Sequence, residues 1–263
     1  MKTKLLTTAV CGVLAFGLAG QARAQLVTDG TFQVGTGLPG QLGFNGTSLT
    51  DWSYSAPENS YDFVYNSATI TTGLTGEHGN VALYGPSGPI PGGGNALGID
   101  PVFQNGGAAG STTSEPVYQT VNGLQAGSVY ALTFSWAASQ QTTFSGDTTE
   151  WWQASLGAQT QNTTTYSNAS GASSSWMQTT LDFTATSSSE VLSFIAGATP
   201  GIPSGGVSGD PPFCLLTDVS LTETTSAPDT TSTMTLLGIA VSAMGFAARF
   251  RRQTRKASQE ERL

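Results

Sequence analysis

The side chains of this sequence that could do chemistry are few, and catalysis is hard to build from them. His78 is the single histidine and lies in the loop-like run Gly76–Asn80. A nucleophilic triad needs a histidine beside a serine and an acid, and no Gly-x-Ser-x-Gly elbow is present. One histidine without a pair of thiols also argues against a transition-metal site. Two carboxylates about 5 to 10 Å apart could hydrolyse a glycosidic bond, but no local motif selects a pair, so no catalytic residue is predicted.

An aromatic residue next to an amide is the best candidate for binding. Polarity alternates along Glu150–Leu156, with Trp152 and Leu156 on the apolar side and Trp151 and Gln153 on the polar side. A pyranose presents apolar C–H faces and a rim of hydroxyls, so an exposed aromatic ring flanked by amides suits a neutral sugar. We therefore expect Trp151 and Gln153 to be ligand-binding residues.

Charge is distributed unevenly along the chain. Only 10% of the residues are charged, and all nine Lys and Arg lie outside Gln25–Ala248. Fifteen carboxylates lie from Asp29 to Asp229, so the stretch Gln25–Ala248 has a formal charge of −15 although the whole chain sums to −8. Nucleic acids are excluded as partners because the body has no cation to neutralise phosphates. Polyanionic polysaccharides are poor ligands for the same reason.

The body, residues 25–225, reads as strands. No stretch sustains the apolar spacing of a helix, while short alternating segments recur between Gly, Pro, Asn and Ser clusters. The pattern predicts an all-β fold, a single antiparallel sandwich. The candidate strands are Leu26–Phe32, Leu49–Tyr54, Tyr61–Asn66, Asn80–Tyr84, Ala96–Asp100, Val117–Val121, Val129–Ala138, Glu150–Leu156, Trp176–Ala185, Val191–Ala196 and Cys214–Thr222.

Two of these strands carry the clearest local signals. Within Val129–Ala138, alternate residues are large and apolar, which predicts a core face formed by Tyr130, Leu132, Phe134 and Trp136. Val117–Val121 precedes it and ends in the turn-like run Asn122–Gly127, which predicts a hairpin between the two. Core packing is also the expected role of most other aromatic residues and of Cys214.

The first 24 residues have the layout of a secretory signal peptide. A short basic start precedes an apolar stretch, and Ala22, Arg23 and Ala24 form a small-x-small site before Gln25. We expect cleavage there, with Gln25 as the first mature residue. An uncleaved anchor helix is the alternative. Cleavage leaves Cys214 as the only thiol, so the body cannot form an internal disulfide.

The C-terminal part reads as a membrane anchor. Residues 233–250 carry no charge except Arg249, are rich in Leu, Ala, Met and Gly and, as a helix of about 27 Å, barely cross a bilayer core. The tail, residues 251–263, adds Arg251 and Arg252, and this basic cluster predicts a cytoplasmic C-terminus and an outward-facing body. A buried core helix is the alternative.

Residues 226–232 precede this helix and resemble a sorting signal. Pro228, Asp229 and Thr230, followed by a Leu- and Gly-rich span and an Arg cluster, resemble the PEP-CTERM class, in a variant similar to Val-Pro-Asp-Ser-Gly. The resemblance implies an exosortase-like partner that removes the helix and releases or re-anchors the protein outside. A sortase signal and a plain tail anchor are the alternatives.

The body itself resembles a carbohydrate-binding-module-like jelly roll of the galactose-binding type. The resemblance implies a noncatalytic module that binds glycan outside the cell. The segments that carry it, in order, are Leu26–Phe32, Trp52–Tyr54, Val117–Val121, Gly127–Phe134, Trp176, Leu181–Ala185, Leu192–Phe194 and Leu216–Leu221.

The same resemblance implies a structural calcium that joins the first strand to the last. Its acidic positions correspond here to Gln33 and Thr217, so two charged ligands are lost, which weakens a site that needs about six to eight oxygens. The remaining candidates are Asp29 and Asp218 together with backbone carbonyls. The alternative is that Asp218 serves only turn or sheet-edge hydrogen bonds.

Together these features predict an exported protein of the cell surface or extracellular matrix. We expect a noncatalytic body that binds neutral polysaccharide or adheres within a biofilm, with no cofactor beyond the calcium. A secreted glycan hydrolase or lyase and a purely structural matrix protein are the alternatives. Binding to glycans that depends on Trp151, or turnover of a labelled polysaccharide, would separate them.

Overall fold

The structure, a computed structural model, describes residues 25–54, 60–77, 79–102, 113–199 and 211–225. These residues form strands and one three-residue 3-10 turn, Pro91–Gly93, and none of their helices is long and apolar enough to cross a membrane. The signal segment 1–24, the sorting motif 226–232, the anchor 233–250 and the tail 251–263 lie outside the described residues. The strands are β1 (Val34–Thr36), β2 (Ser48–Leu49), β3 (Ser53–Tyr54), β4 (Asp62–Tyr65), β5 (Leu74–Gly76), β6 (Gly79–Val81), β7 (Ala96–Ile99), β8 (Val117–Asn122), β9 (Val129–Gln140), β10 (Thr148–Leu156), β11 (Gln159–Asn162), β12 (Tyr166–Asn168), β13 (Met177–Thr184), β14 (Ser189–Thr199) and β15 (Pro212–Thr225).

Two antiparallel sheets form the sandwich. The β10 sheet has the order β11-β10-β14-β8-β3, and β12 also pairs with β10. The β9 sheet has the order β13-β9-β15-β7-β4. Two small ribbons, β1 with β2 and β5 with β6, complete the paired strands of the described chain. The prediction of an all-β antiparallel sandwich is confirmed.

The main core lies between the two sheets and follows the period of two in their strands. Trp152 and Leu156 of β10 are fully buried, as are Leu132 and Phe134 of β9. Phe194 of β14 stands edge-on to the ring of Phe134, with 5.2 Å between the ring centroids. Each such side chain contributes roughly 1.5 to 3 kcal/mol by leaving water, so the predicted core face of β9 is confirmed.

A second cluster covers the other face of the β9 sheet. Phe63 and Tyr65 of β4 are fully buried and stack at 5.6 Å, and Phe213 of β15 packs against Phe63. Val81 of β6 belongs to the same cluster, so the β5–β6 ribbon lies over these rings. The sheet is therefore buried on both sides there, which explains why β4 and β7 show no alternation of polarity.

The predicted hairpin between β8 and β9 is wrong. β8 pairs with β14 and β3, whereas β9 pairs with β13 and β15, so the run after Asn122 crosses from one sheet to the other. Val121 and Tyr130 both face the core, and Leu124 of the connection is buried between the sheets. Two strands whose apolar faces meet across a core belong to opposite sheets, and this requirement overrides the local turn signal.

The predicted first strand, Leu26–Phe32, is not a strand. Positive φ angles of 49° at Asp29 and 50° at Phe32 interrupt any extended run. The segment instead bridges the sandwich: the Thr28 amide donates to Gln119 Oε1 of the β10 sheet at 3.0 Å. The Val219 amide of β15, in the β9 sheet, donates to the Gly30 carbonyl at 2.9 Å.

Candidate functional site

Trp151 and Gln153 lie on the outer face of the β10 sheet, and both are half-buried. Their neighbours on this face follow from the strand register: Trp151 pairs with Gly197, and Gln153 pairs with Ile195 of β14. Gln153 also pairs with Asn162 of β11. We use the term outer face for Trp151, Gln153, Asn162, Ile195 and Gly197. The structure therefore brings the two predicted binding residues together on one surface.

The indole of Trp151 lies directly over Gly197. A Cβ atom placed on Gly197 would overlap the Cε2, Nε1 and Cζ2 atoms of the Trp151 ring. Only glycine leaves room for the ring at this position, so the neighbouring strand holds the indole against the sheet. Trp151 is consequently less exposed than an unsupported surface tryptophan, but its position is fixed before any ligand arrives.

Gly197 escaped the sequence analysis, although the sequence contains a signal for it. It interrupts the apolar run of β14, between Ala196 and Ala198. A glycine inside a strand marks a bulge or a close approach of another group. Here the approaching group is the indole of Trp151.

The amides of the outer face are ordered by one another. The Gln153 Nε2 donates to Asn162 Oδ1 at 3.2 Å, from β10 to β11. The hydroxyls of Thr149 and Thr199 hydrogen-bond to each other at the end of the same face. An amide whose geometry is set by its neighbour presents its remaining hydrogen-bonding capacity in a fixed direction.

No outward-facing residue of the described β8, β10 and β14 carries a charge. Their two glutamates face inward instead: Glu150 is fully buried and accepts a hydrogen bond from Thr148 Oγ1 at 2.6 Å, and Glu190 is buried at the β13–β14 turn. A face with an indole, amides and hydroxyls but no charge suits a neutral hydroxylated ligand better than an ion.

Asp29, the first predicted calcium ligand, lies in the bridging segment. Its Oδ2 accepts a hydrogen bond from the Gln33 amide at 2.7 Å, and its carbonyl accepts one from Trp52 Nε1 at 2.8 Å. Its Oδ1 is buried and has no hydrogen-bond partner among the described residues. The pKa of Asp29 is raised to about 6, mainly by burial and to a smaller extent by the negative charge of Asp51, against the lowering effect of the hydrogen bond from the Gln33 amide.

Asp218, the second predicted ligand, lies at a bulge of β15, where the register with β9 shifts between Thr217 and Ser220. Its φ of 53° turns the chain locally. A Cβ atom on Gly92 would lie 2.9 Å from Asp218 Oδ1, so this carboxylate faces the 3-10 turn. The neighbouring Thr217 Oγ1 donates to the Asn95 carbonyl at 2.7 Å.

Asp29 and Asp218 thus lie in two segments that contact each other, and the β15 bulge also faces the 3-10 turn. The Val219–Gly30 hydrogen bond joins the two acidic segments directly. The buried Asp29 Oδ1, which has no hydrogen-bond partner among the described residues, fits a hard cation. The described residues contain no group of three or more His, Cys, Asp or Glu able to hold a metal ion, so any such site would depend on carbonyl and water oxygens.

Gln25, the predicted first residue of the mature chain, is tied to the last strand. Its Oε1 accepts hydrogen bonds from the Leu221 amide at 3.1 Å and from Ser220 Oγ at 2.9 Å. Its Nε2 donates to the Val219 carbonyl at 3.1 Å. His78 lies outside the described residues. So do the remaining residues of the predicted cleavage and sorting signals, which are Ala22, Ala24, Pro228, Asp229, Thr230, Arg249, Arg251 and Arg252.

Comparison with known proteins finds no matching family model and no matching curated protein. Among solved structures, the chain is similar to TmCBM61 in complex with β-1,4-galactotriose, with 12% identity, a TM-score of 0.32, and coverage of 66% of this chain and 89% of that one. It is similar to the CBM22-2 xylan-binding domain of Xyn10C from Paenibacillus barcinonensis, with 15% identity, a TM-score of 0.33, and coverage of 67% and 94%.

A third similar structure is the arabinose-bound α-L-arabinofuranosidase MgGH51, with 17% identity and a TM-score of 0.34. The match covers 77% of this chain and only 27% of that enzyme. The structural neighbours thus include carbohydrate-binding modules and part of a glycoside hydrolase. The all-β sandwich rests on its own strand pairing.

Proposed function

We propose that the described body is a noncatalytic module with a jelly-roll-like sandwich that binds neutral polysaccharide through its outer face. The observation that supports this most directly is the indole of Trp151, held over Gly197 on a surface whose outward residues carry no charge. Gln153, ordered by Asn162, supplies the neighbouring amide.

The physical basis of this proposal is the match between the face and a sugar ring. An indole offers a large apolar plane for C–H groups at little cost in side-chain entropy. Amides beside it exchange hydrogen bonds with hydroxyls, and they discriminate between sugar epimers by geometry. The body has no Lys or Arg, so anionic sugars would meet repulsion without compensation.

A binding assay with matched variants tests the proposal. The full-length protein is titrated with xylan, galactan, arabinan and β-glucan, and each titration is repeated with Trp151→Ala and Gln153→Ala. We expect at least a tenfold loss of affinity for Trp151→Ala, in line with the removal of a central aromatic anchor. Leu38→Ala is the matched control, because this apolar residue is 79% exposed and lies in the loop between β1 and β2.

Two results would contradict the proposal. Equal binding by wild type and by a folded Trp151→Ala variant would remove the outer face as the site. If wild type and Trp151→Ala both released reducing sugar from a labelled polysaccharide, the chain would instead catalyse hydrolysis at another site.

We also propose that the chain is exported and sorted. The support is the sequence: a signal segment before Gln25, the motif Pro228-Asp229-Thr230, an apolar stretch at 233–250 and the basic residues after it. An exosortase-like enzyme would then cleave near Pro228 and leave the body at the cell surface or in the matrix, where adhesion within a biofilm would be its role. The mass of the protein from medium and membranes tests this, since an intact C-terminus in both fractions would contradict processing.

A structural calcium is the third proposal. Asp29 Oδ1 and the Asp218 carboxylate would hold the ion, with carbonyl oxygens of the surrounding loops completing its shell. Such an ion supplies positive charge that neutralises two carboxylates and links the bridging segment to β15. The ion would have a structural role, because Asp29 and Asp218 are not part of the outer face.

A further inference from the structure

Two aromatic side chains away from the outer face are exposed without contributing to the core. Tyr84 is 39% exposed and Phe144 is 37% exposed, and among the described residues neither belongs to the two hydrophobic clusters. They are 60 positions apart in the chain, yet the Tyr84 hydroxyl donates to the Phe144 carbonyl at 3.4 Å. Exposed apolar groups mark a binding site when they lie together on the surface, and this hydrogen bond brings the two residues together.

One buried amide holds the loops that carry these rings. Gln140 at the end of β9 is fully buried, and its backbone carbonyl accepts a hydrogen bond from the Tyr84 amide at 3.0 Å. Its Nε2 donates to the Gly146 carbonyl at 3.0 Å, in the loop of Phe144. Its Oε1 accepts from the Gly171 amide at 2.7 Å. The segments of Tyr84, Phe144 and Gly171 are therefore fixed by a single residue.

Two further hydrogen bonds join the loops at the surface. The Gly146 amide donates to Ser170 Oγ at 2.9 Å, and the Ser170 amide donates to Asp147 Oδ1 at 2.9 Å. A loop constrained in this way loses little conformational entropy when a ligand binds. The aromatic pair is thus presented by a rigid framework.

Gly171 lies next to the phenol ring and leaves it uncovered. A Cβ atom there would sit 3.6 Å from Cζ of Tyr84, so any longer side chain would extend over the ring. The φ of 72° at Gly171 also favours glycine. The charged group of these loops is the Asp147 carboxylate, and no Lys or Arg occurs in the body, so an anionic ligand would be repelled.

We propose that Tyr84 and Phe144 form a second sugar-binding platform, which takes a single neutral pyranose ring or the end of a neutral glycan chain. This inference rests on the proposed glycan-binding function but not on its site. A short platform of two side chains suits one ring, whereas the outer face spans several strands. The two sites would act on one polysaccharide through avidity, since binding at one raises the local concentration of ligand at the other.

Titration of the full-length protein tests the platform. Saturation-transfer NMR and calorimetry with galactose, xylose, arabinose and glucose, and with their neutral trisaccharides, compare wild type with Tyr84→Ala/Phe144→Ala. We expect at least a tenfold weaker binding of monosaccharide in the double variant, while Tyr84→Phe keeps wild-type affinity because it keeps the ring. Leu38→Ala, at an exposed apolar residue in another loop, is the matched control.

The outcomes separate this inference from the proposed function. Loss of sugar binding in the double variant, together with retained sugar binding in Trp151→Ala, supports the platform and contradicts the outer face as a binding site. Loss in Trp151→Ala with wild-type monosaccharide affinity in the double variant overturns the platform alone. Absence of any sugar binding by wild type overturns both. Since the double variant could unfold, Phe144→Ser with Tyr84 intact provides a second test, and unchanged affinity in this folded variant also overturns the platform.

Discussion

The side-chain amide of Gln159 pairs with the backbone of Thr184 as a neighbouring strand would. Its Oε1 accepts a hydrogen bond from the Thr184 amide at 3.2 Å, and its Nε2 donates to the Thr184 carbonyl. The Gln161 Nε2 donates to the Asp182 carbonyl at 2.6 Å. Because Gln159 and Gln161 belong to β11, at the edge of the β10 sheet, they cover the open edge of β13 in the β9 sheet.

Removal of these two amides should therefore expose a strand edge. In Gln159→Ala/Gln161→Ala we expect unfolding to become easier by about 1 to 3 kcal/mol, the usual range for lost hydrogen bonds. We also expect faster aggregation, because an open edge pairs with other chains. Urea unfolding and light scattering measure the two effects. Gln178→Ala, at an exposed glutamine of β13 itself, is the control, and equal aggregation of both variants would contradict the edge role.

A glycine on the outer face gives the second prediction. In Gly197→Ala the new methyl group overlaps the indole of Trp151, so we expect a loss of about 1 to 3 kcal/mol, as for other overpacked sites. Adding Trp151→Ala should recover most of it, because the overlap then disappears. A double-mutant cycle by denaturant unfolding measures this coupling. Additive losses in the double variant would show that the ring does not lie over Gly197.

The third prediction is a pH dependence. The pKa of Asp29 is about 6 in the folded protein, above its ordinary value of 3.8, so the folded state binds this proton more tightly than the unfolded state. The contribution of Asp29 to stability is therefore most favourable below pH 3.8 and is lost as pH rises through about 6. Denaturant unfolding at several pH values, with a chelator present, should show a fall in the free energy of unfolding of wild type over this range and a shallower fall in Asp29→Asn. Identical slopes in the two proteins would contradict the burial of the carboxyl group.

Calcium should reverse that trend if the proposed site exists. An ion that binds only the folded state adds about 2.7 kcal/mol at a concentration one hundred times its dissociation constant. We expect calcium to raise the melting temperature of wild type near pH 7, and to raise it less in Asp29→Asn and Asp218→Asn. Asp182→Asn, at an acid on the outer side of β13, is the control. A wild-type melting temperature that calcium leaves unchanged would argue for hydrogen-bonding roles alone.

Alternation within a strand was readable from the sequence, because the period of two is a local property of the backbone. It correctly predicts the buried faces of β9 and β10, with Phe134 and Trp152 in the core, and the outward direction of Trp151. Strand pairing was not readable in the same way. The turn after Asn122 looked like a hairpin, although the partner of β8 is β14, about 70 residues further along the chain.

The candidate sites were likewise predictable from the sequence only in part. The chemistry of Trp151 and Gln153 follows from residue type and phase, but the support of the indole by Gly197 depends on register between distant segments. Tyr84 and Phe144 were missed because loops carry no period that distinguishes exposed from buried residues. Their common support by Gln140 involves three segments that only the folded chain brings together.

Two adjacent residues of β9 should respond to substitution in opposite ways. Ser139 and Gln140 are both fully buried. The Gln140 side chain satisfies the Gly146 carbonyl, the Thr148 hydroxyl and the Gly171 amide, so Gln140→Leu leaves these partners unpaired and should cost about 2 to 4 kcal/mol. Ser139 Oγ has no hydrogen-bond partner among the described residues, so Ser139→Ala removes an unsatisfied hydroxyl and should leave stability unchanged or raise it by about 1 kcal/mol. Urea unfolding of the two variants measures both effects, and a large loss in Ser139→Ala would show that its hydroxyl is satisfied in solution.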